Sequence, residues 1–163
     1  MPSDTLTTLA TLVGAKLKAK GLLLATAESC TGGWVAQAVT AIAGSSDWFE
    51  RGFVSYSNAA KQDMLGVTSE TLLEHGAVSE ETAREMAAGA LVRSHAQVAV
   101  AITGVAGPSG GTPDKPVGMV CFAWAMKEGA VIAETRHFEG NRESVRRQSV
   151  IAALQGVLEC LEG

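Results

Sequence analysis

Leu22 to Ala43 reads LLLATAESCTGGWVAQAVTAIA, and its three parts decide the fold. Leu22 to Ala27 is a short apolar run bounded by Gly21 and Glu28, the pattern of a strand buried on both faces. Ser29 to Gly33 is a Gly-rich turn, and the apolar residues that follow predict a helix beginning around Gly32 to Trp34, with Thr31 as its cap. Strand, Gly-rich turn and helix start in that order present backbone N–H groups to an anion. The plainer reading is a strand-to-helix turn with no ligand.

Outward from this unit the chain alternates helix and strand signals. Upstream, Leu6, Leu9, Leu12, Val13 and Leu17 recur at a helical period over Ser3 to Lys20, with Asp4 near the start and Gly21 past the end. Downstream, Arg51 to Ser57 reads as a strand, and Ser57 and Asn58 as its end and the cap of a helix over Ala59 to Leu65. Ser69 with Glu70, and Ser79 with Thr82, open two more helices, the second running to about Ser94. Gln97 to Thr103 is a second buried strand that breaks at Gly104, and Val105 to Pro116 is a long Gly/Pro-rich loop. Val117 to Met126 and Ala130 to Phe138 read as a hairpin, and Gly140 and Asn141 cap a last helix from Arg142 to Leu161. Helices before and between strands, then a hairpin and a helix, predict a three-layer α/β/α sandwich with a mixed β-sheet.

Composition supports a single domain over residues 1–163. With 47% hydrophobic and 18% charged residues the chain is far from disordered composition, and at this length it buries roughly 70% of its unfolded surface. A net charge of −4, with no run of Lys or Arg until Arg142, Arg146 and Arg147, disfavours duplex nucleic acid as a partner. Cys30, Cys121 and Cys160 match no metal or disulfide spacing and read as thiols in a reducing compartment. The N-terminus lacks a signal-peptide pattern, and no apolar run approaches the roughly 20 residues that span a bilayer. The expectation is a cytoplasmic protein without membrane contact.

Gly44 to Lys61, GSSDWFERGFVSYSNAAK, gathers a hydroxyl, a phenol and an amine at Ser46, Tyr56 and Lys61. Spacing alone also allows a turn-capping serine, a surface tyrosine and a solvated lysine. His75, His95 and His137 share no ligand spacing, so neither a metal site nor a Ser/His/Asp triad is assigned. Thr103 to Gly111, TGVAGPSGG, lacks the Lys-Ser/Thr of a P-loop and the spacing of a dinucleotide fingerprint.

Thr26 to Gly33 (TAESCTGG), Gly44 to Ser46 (GSS), Tyr56 to Asn58 (YSN) with Lys61, Gly76 to Ser79 (GAVS) and Thr103 to Gly111 occur in order along nearly the whole chain. On these motifs the sequence resembles the CinA C-terminal domain family, whose stand-alone members are nicotinamide mononucleotide amidases. In longer relatives this domain follows one resembling molybdopterin-binding proteins, for which Met1 to Lys20 leaves no room. The resemblance implies hydrolysis of nicotinamide mononucleotide without cofactor or metal, in pyridine nucleotide recycling, by a homodimer. It carries over Ser46 as nucleophile, Lys61 as base and Tyr56 as a hydroxyl assisting proton transfer or binding the oxyanion. Ser45 and Ser29 remain alternatives for the nucleophile. It assigns Ser29, Thr31, Gly32, Gly33, Thr103, Gly104, Ala106, Gly107, Gly110 and Gly111, with Arg142 and secondarily Arg146, to substrate binding. Glu28 is read as an orienting or merely satisfied strand-end carboxylate. A serine activated by lysine is workable protein-only chemistry, provided burial and a nearby helix start depress the lysine. The competing readings are a non-catalytic nucleotide-binding regulatory module and an amidase for another small nucleotide or amide.

Overall fold

A computed structural model describes residues 5–162; Ser3 and Asp4, read as the start of the first helix, lie outside them. The strands are β1 (Leu24–Glu28), β2 (Phe49–Val54), β3 (Val98–Gly104), β4 (Met119–Met126) and β5 (Val131–His137). They form one sheet in the order β2-β1-β3-β4-β5. β2, β1 and β3 are parallel, and the β4–β5 hairpin adds antiparallel strands beside β3. The helices are α1 (Thr5–Lys20), α2 (Trp34–Thr40), α3 (Asn58–Leu65), α4 (Ser69–His75), α5 (Glu80–Val92) and α6 (Arg142–Glu162). This is the expected α/β sandwich with a mixed sheet.

The two faces of the sheet differ because side chains alternate along a strand. Leu24, Val98, Val100, Ile102, Val120, Phe122 and Trp124 point into a core shared with Val13, Leu17, Val35, Val39, Leu154 and Val157 of α1, α2 and α6. The intervening Ala25, Ala27, Ala99, Ala101, Ala123 and Ala125 face Ala83, Met86, Ala87 and Ala90 of α5. Small residues on both sides let α5 lie close to the sheet, and a buried apolar side chain of Leu or Phe size contributes about 1.5–3 kcal/mol on the other face. α5 in turn seats α3: a Cβ on Gly89 would fall 1.8 Å from the Leu65 carbonyl oxygen, so only glycine permits this contact.

Several boundaries differ from the sequence reading for local reasons. β1 starts at Leu24 because the Leu23 carbonyl accepts the Gln97 and Val98 amides and its amide donates to Gln97 Oε1. β2 covers Phe49–Val54 rather than Arg51 to Ser57, because the carbonyls of Ser55 and Tyr56 turn to a lysine amine instead of the sheet. α4 is capped by Thr68, whose hydroxyl accepts the Thr71 amide, so Ser69 is its first helical residue. Ser79 caps α5 through the Thr82 amide as expected. The C-terminal ends of β1, β2 and β3 open onto one edge of the sheet, the usual place for a site in parallel α/β architecture.

Candidate active site

The turn after β1 is organised by a buried carboxylate. Glu28, 1% exposed, accepts the Thr31 hydroxyl at 2.6 Å, the Gly33 amide at 3.2 Å and the Val35 amide at 2.9 Å on one oxygen, and the Ala36 amide at 3.0 Å on the other. It satisfies the free amides of the first turn of α2. The N-cap position is Gly33 at φ 105°, without a side-chain cap. The cap expected of Thr31 is therefore supplied by Glu28, with Thr31 as one of its donors. On the far side of the turn, Arg146 of α6 donates to the Cys30 and Thr31 carbonyls, each at 3.1 Å, and lies 5.5 Å above the Trp34 ring. The Ser29 amide donates to the Ile102 carbonyl and the Gly32 amide to the Ser29 carbonyl. Among the described residues no oxygen accepts the amides of Cys30 or Thr31.

Lys61 enters this turn from α3. Ser57 caps α3 by accepting the Ala60 amide at 3.0 Å, which sets Lys61 one turn into the helix and aims it at the sheet edge. Its amine donates to Ser29 Oγ at 3.0 Å, the Ser55 carbonyl at 3.2 Å and the Tyr56 carbonyl at 3.1 Å. The residue is 1% exposed and makes no ion pair with a carboxylate among the described residues. Burial holds its amine below the ordinary lysine value, the Cys30 sulfur opposing slightly. As a neutral amine Lys61 has two N–H bonds for the two carbonyls, which leaves its lone pair facing the Ser29 hydroxyl. Burial pushes the Cys30 thiol up to about 12, against the ionised form a thiol needs to react.

Ser29, Tyr56, Asn58, Lys61, Val78 and Arg142 stand around a cavity of about 230 Å³, with Cys30, Ala77, Thr103, Gly104 and Ala106 completing its wall. Arg142, at the start of α6, donates to the Gly107 carbonyl at 2.7 Å and to the Tyr56 hydroxyl at 3.3 Å. It thereby ties the Gly-rich loop to the segment after β2. Both acceptors are neutral, so its charge faces the mouth uncompensated by them. The Thr103 hydroxyl donates to the Ala77 carbonyl at 2.8 Å, docking the segment between α4 and α5 as one wall.

The expected residues divide accordingly. Lys61, Tyr56, Ser29, Thr103, Gly104, Ala106 and Arg142 converge on the cavity, while Gly107 contributes its carbonyl to Arg142. Thr31, Gly32, Gly33 and Arg146 line a separate, more open depression of about 460 Å³ with Trp34, Gln37 and Glu143. Gly110 and Gly111 lie outside the cavity wall, in the exposed part of the loop. Ser46, expected as the nucleophile, does not stand beside Lys61. Ser46 is exposed on a 3-10 turn over Ser45–Asp47 that leads into the start of β2, as does the buried Ser45. The Lys61 amine sits past the end of that strand, and six strand residues at about 3.3 Å each put roughly 20 Å between them. Ser29, which the sequence left as an alternative, holds the position beside Lys61. Its position at the C-terminal end of a buried parallel strand was the available signal. Cys30, Asn58, Ala77 and Val78 line the cavity without having been assigned to the site; each falls within a quoted motif, but spacing gave none of them a binding role.

Known proteins share this architecture. A family model described as the CinA C-terminal domain matches residues 6–161. The nicotinamide-nucleotide amidohydrolase PncC of Escherichia coli (strain K12) is 56% identical over 155 residues, 95% of this chain and 94% of that protein. The protein of the same name from Pseudomonas putida is 52% identical over 157 residues, 96% and 97% of the two chains. Among solved structures, the competence/damage inducible protein CihA from Agrobacterium tumefaciens superposes with a TM-score of 0.94 at 46% identity, covering 100% of this chain and 99% of that one.

Proposed function

This chain belongs to the CinA C-terminal domain family, and from that premise we propose that it hydrolyses nicotinamide mononucleotide to nicotinate mononucleotide and ammonia, with Ser29 as nucleophile and Lys61 as base. The observation that carries the mechanism is the buried Lys61 amine 3.0 Å from Ser29 Oγ, with two carbonyls taking its other hydrogens. A lysine at its ordinary value of about 10.4 is almost wholly ammonium near neutral pH. Burial favours the neutral form that a base requires.

In the reaction Ser29 Oγ attacks the carboxamide carbon while its proton passes to the Lys61 amine. The carbonyl oxygen becomes an oxyanion, for which the Cys30 and Thr31 amides are the donors left over in the turn. The Lys61 ammonium then protonates the departing nitrogen, the C–N bond breaks and ammonia leaves an acyl ester on Ser29. Water, losing its proton to the neutral Lys61, attacks the ester and releases the carboxylate. Lys61 returns the proton to Ser29 Oγ.

The cavity of about 230 Å³ is below the roughly 300–1,000 Å³ of sites that enclose a drug-sized ligand. The pyridine carboxamide is the part that enters, and the ribose phosphate lies along the mouth toward Arg142, whose planar guanidinium suits a phosphate. Tyr56, 63% exposed, stands at that mouth through its bond to Arg142 and takes a substrate-orienting role. The same reading places the reaction in pyridine nucleotide recycling by a cytoplasmic homodimer, whose mass in solution is checked by light scattering; a monomer would remove the dimer from it.

Ammonia release from nicotinamide mononucleotide by purified protein tests the activity. Ser29→Ala is expected to lose turnover by at least about 10³-fold, while Ser46→Ala keeps it. Ser46→Ala losing turnover while Ser29→Ala retains it would reverse the assignment. Binding without ammonia release would leave a nucleotide-binding module.

A further inference from the structure

Arg146 was expected to bind substrate, yet the hydrogen bonds it makes in the structure are spent on the protein. Its Nε and Nη2 reach two successive carbonyls, Cys30 and Thr31, at 3.1 Å each. Its stem comes from α6 beside the fully buried Val145, and its guanidinium lies over Trp34. A charged, planar fork on two adjacent peptide units fixes the rotation of both.

In a trans peptide the C=O and the following N–H point in opposite directions. Drawing the Cys30 carbonyl toward α6 therefore aims the Thr31 N–H away from α6. α6 packs on the face of the sheet that carries Val100 and Ile102, whereas Lys61 reaches Ser29 from the side of α3 and α5. The Thr31 amide is thus turned away from α6, toward the side from which Lys61 reaches Ser29. Glu28 removes the Gly33, Val35 and Ala36 amides from competition, and the Ser29 carbonyl removes the Gly32 amide.

We infer that Arg146 is a positioning residue for the Thr31 oxyanion donor, acting through the peptide unit that joins Cys30 to Thr31 rather than on the substrate's phosphate. This rests on the amidohydrolase reading. A residue in this role supports the transition state more than the bound substrate, so its loss lowers kcat and leaves KM nearly unchanged. A phosphate ligand would do the reverse.

The experiment compares wild type, Arg146→Ala and Arg146→Lys in ammonia release from nicotinamide mononucleotide and from the same nucleoside without its phosphate. Methylguanidinium is then added at millimolar concentration. Arg146→Ala is expected to lose about 10–100-fold in kcat, on the scale of a misplaced oxyanion donor. The loss should be equal on both substrates, with KM within about threefold and turnover partly restored, saturably, by methylguanidinium. Arg146→Lys, which keeps the charge but offers a single point donor, should show the same defect with an unchanged melting temperature. It decides the matter if the alanine variant does not fold. A rise in KM confined to the phosphorylated substrate, or full kcat in Arg146→Lys, overturns the inference while the amidohydrolase reading stands. Wild type inactive on both substrates overturns the reading and the inference with it.

Discussion

Replacing Glu28 by glutamine tests whether a buried carboxylate shapes the turn that carries Ser29. In Glu28→Gln the amide oxygen inherits the position that accepts Thr31 Oγ1, Gly33 N and Val35 N, and the amide nitrogen faces the Ala36 N–H, which lies 3.0 Å from the present oxygen. Donor then meets donor, so one hydrogen bond is lost and the Ala36 amide is left unsatisfied, at about 1–3 kcal/mol. The three retained bonds lose the charge that made them roughly twice as strong as neutral ones. Relief from desolvating a charge offsets part of this, which leaves a net destabilisation of about 2–4 kcal/mol. For a chain of this size that is a fall of roughly 5–15 °C in melting temperature. The opposite rotamer is worse, since it sets three donors against the amide nitrogen. Because the same turn carries Ser29, kcat at saturating substrate should fall by about 10–100-fold at temperatures where the variant is folded. Thermal unfolding followed by circular dichroism and steady-state ammonia release measure the two effects. A variant that melts within about 1 °C of wild type with full kcat would show that the carboxylate does not hold the turn, and the account of the site would fail with it.

Lys61→Met removes the proposed base and, with it, a pH term. Because burial lowers the Lys61 value in the folded state, the unfolded chain binds more protons between the folded value and about 10.4. Below that window both states are protonated and the full cost of the buried ammonium is present; above the folded value the cost is progressively relieved. Urea-derived stability of wild type relative to Lys61→Met should therefore rise as pH increases toward about 10.4, and a flat or falling difference would contradict the lowered value. The rate constant kcat/KM of wild type should climb with pH to a plateau whose midpoint lies below the ordinary lysine value of about 10.4. Gly89→Ala forces a Cβ to 1.8 Å from the Leu65 carbonyl, so α3 must shift. Despite a helix-propensity gain of about 1 kcal/mol, overpacking of about 1–3 kcal/mol or more should lower the melting temperature and displace Lys61; a more stable, fully active variant would refute the contact. Arg142→Ala should raise KM for the mononucleotide about 10–100-fold, the value of one charge-assisted contact, and leave kinetics on the phosphate-free nucleoside near wild type. Equal losses on both substrates would move the phosphate elsewhere.

Much of the architecture was legible in one dimension because it follows from local periodicity. The apolar run at Leu24 to Ala27, the alternating Val and Ala of Val98 to Ile102 and the hairpin around Lys127 to Gly129 each report how a strand is buried, whatever else the chain does. Caps were less legible. The turn at Ser29 to Gly33 suggested Thr31, but its amides are satisfied by Glu28, a strand residue whose side chain folds forward over seven and eight positions.

The sequence by itself determined the layers, the Gly-rich turns and the chemical types available, including the absence of a histidine or metal set among the spacings. Only the tertiary structure decided which serine meets the lysine. Ser46 is nearer to Lys61 in sequence than Ser29 is, but a parallel sheet carries the start and end of each strand to opposite edges. Ser46 precedes β2 and Lys61 follows it, so a whole strand length separates them, while the register of β1 beside β2 brings Ser29, which follows β1, to the same edge as Lys61. Proximity along the chain was outweighed by strand direction, which no local pattern reports.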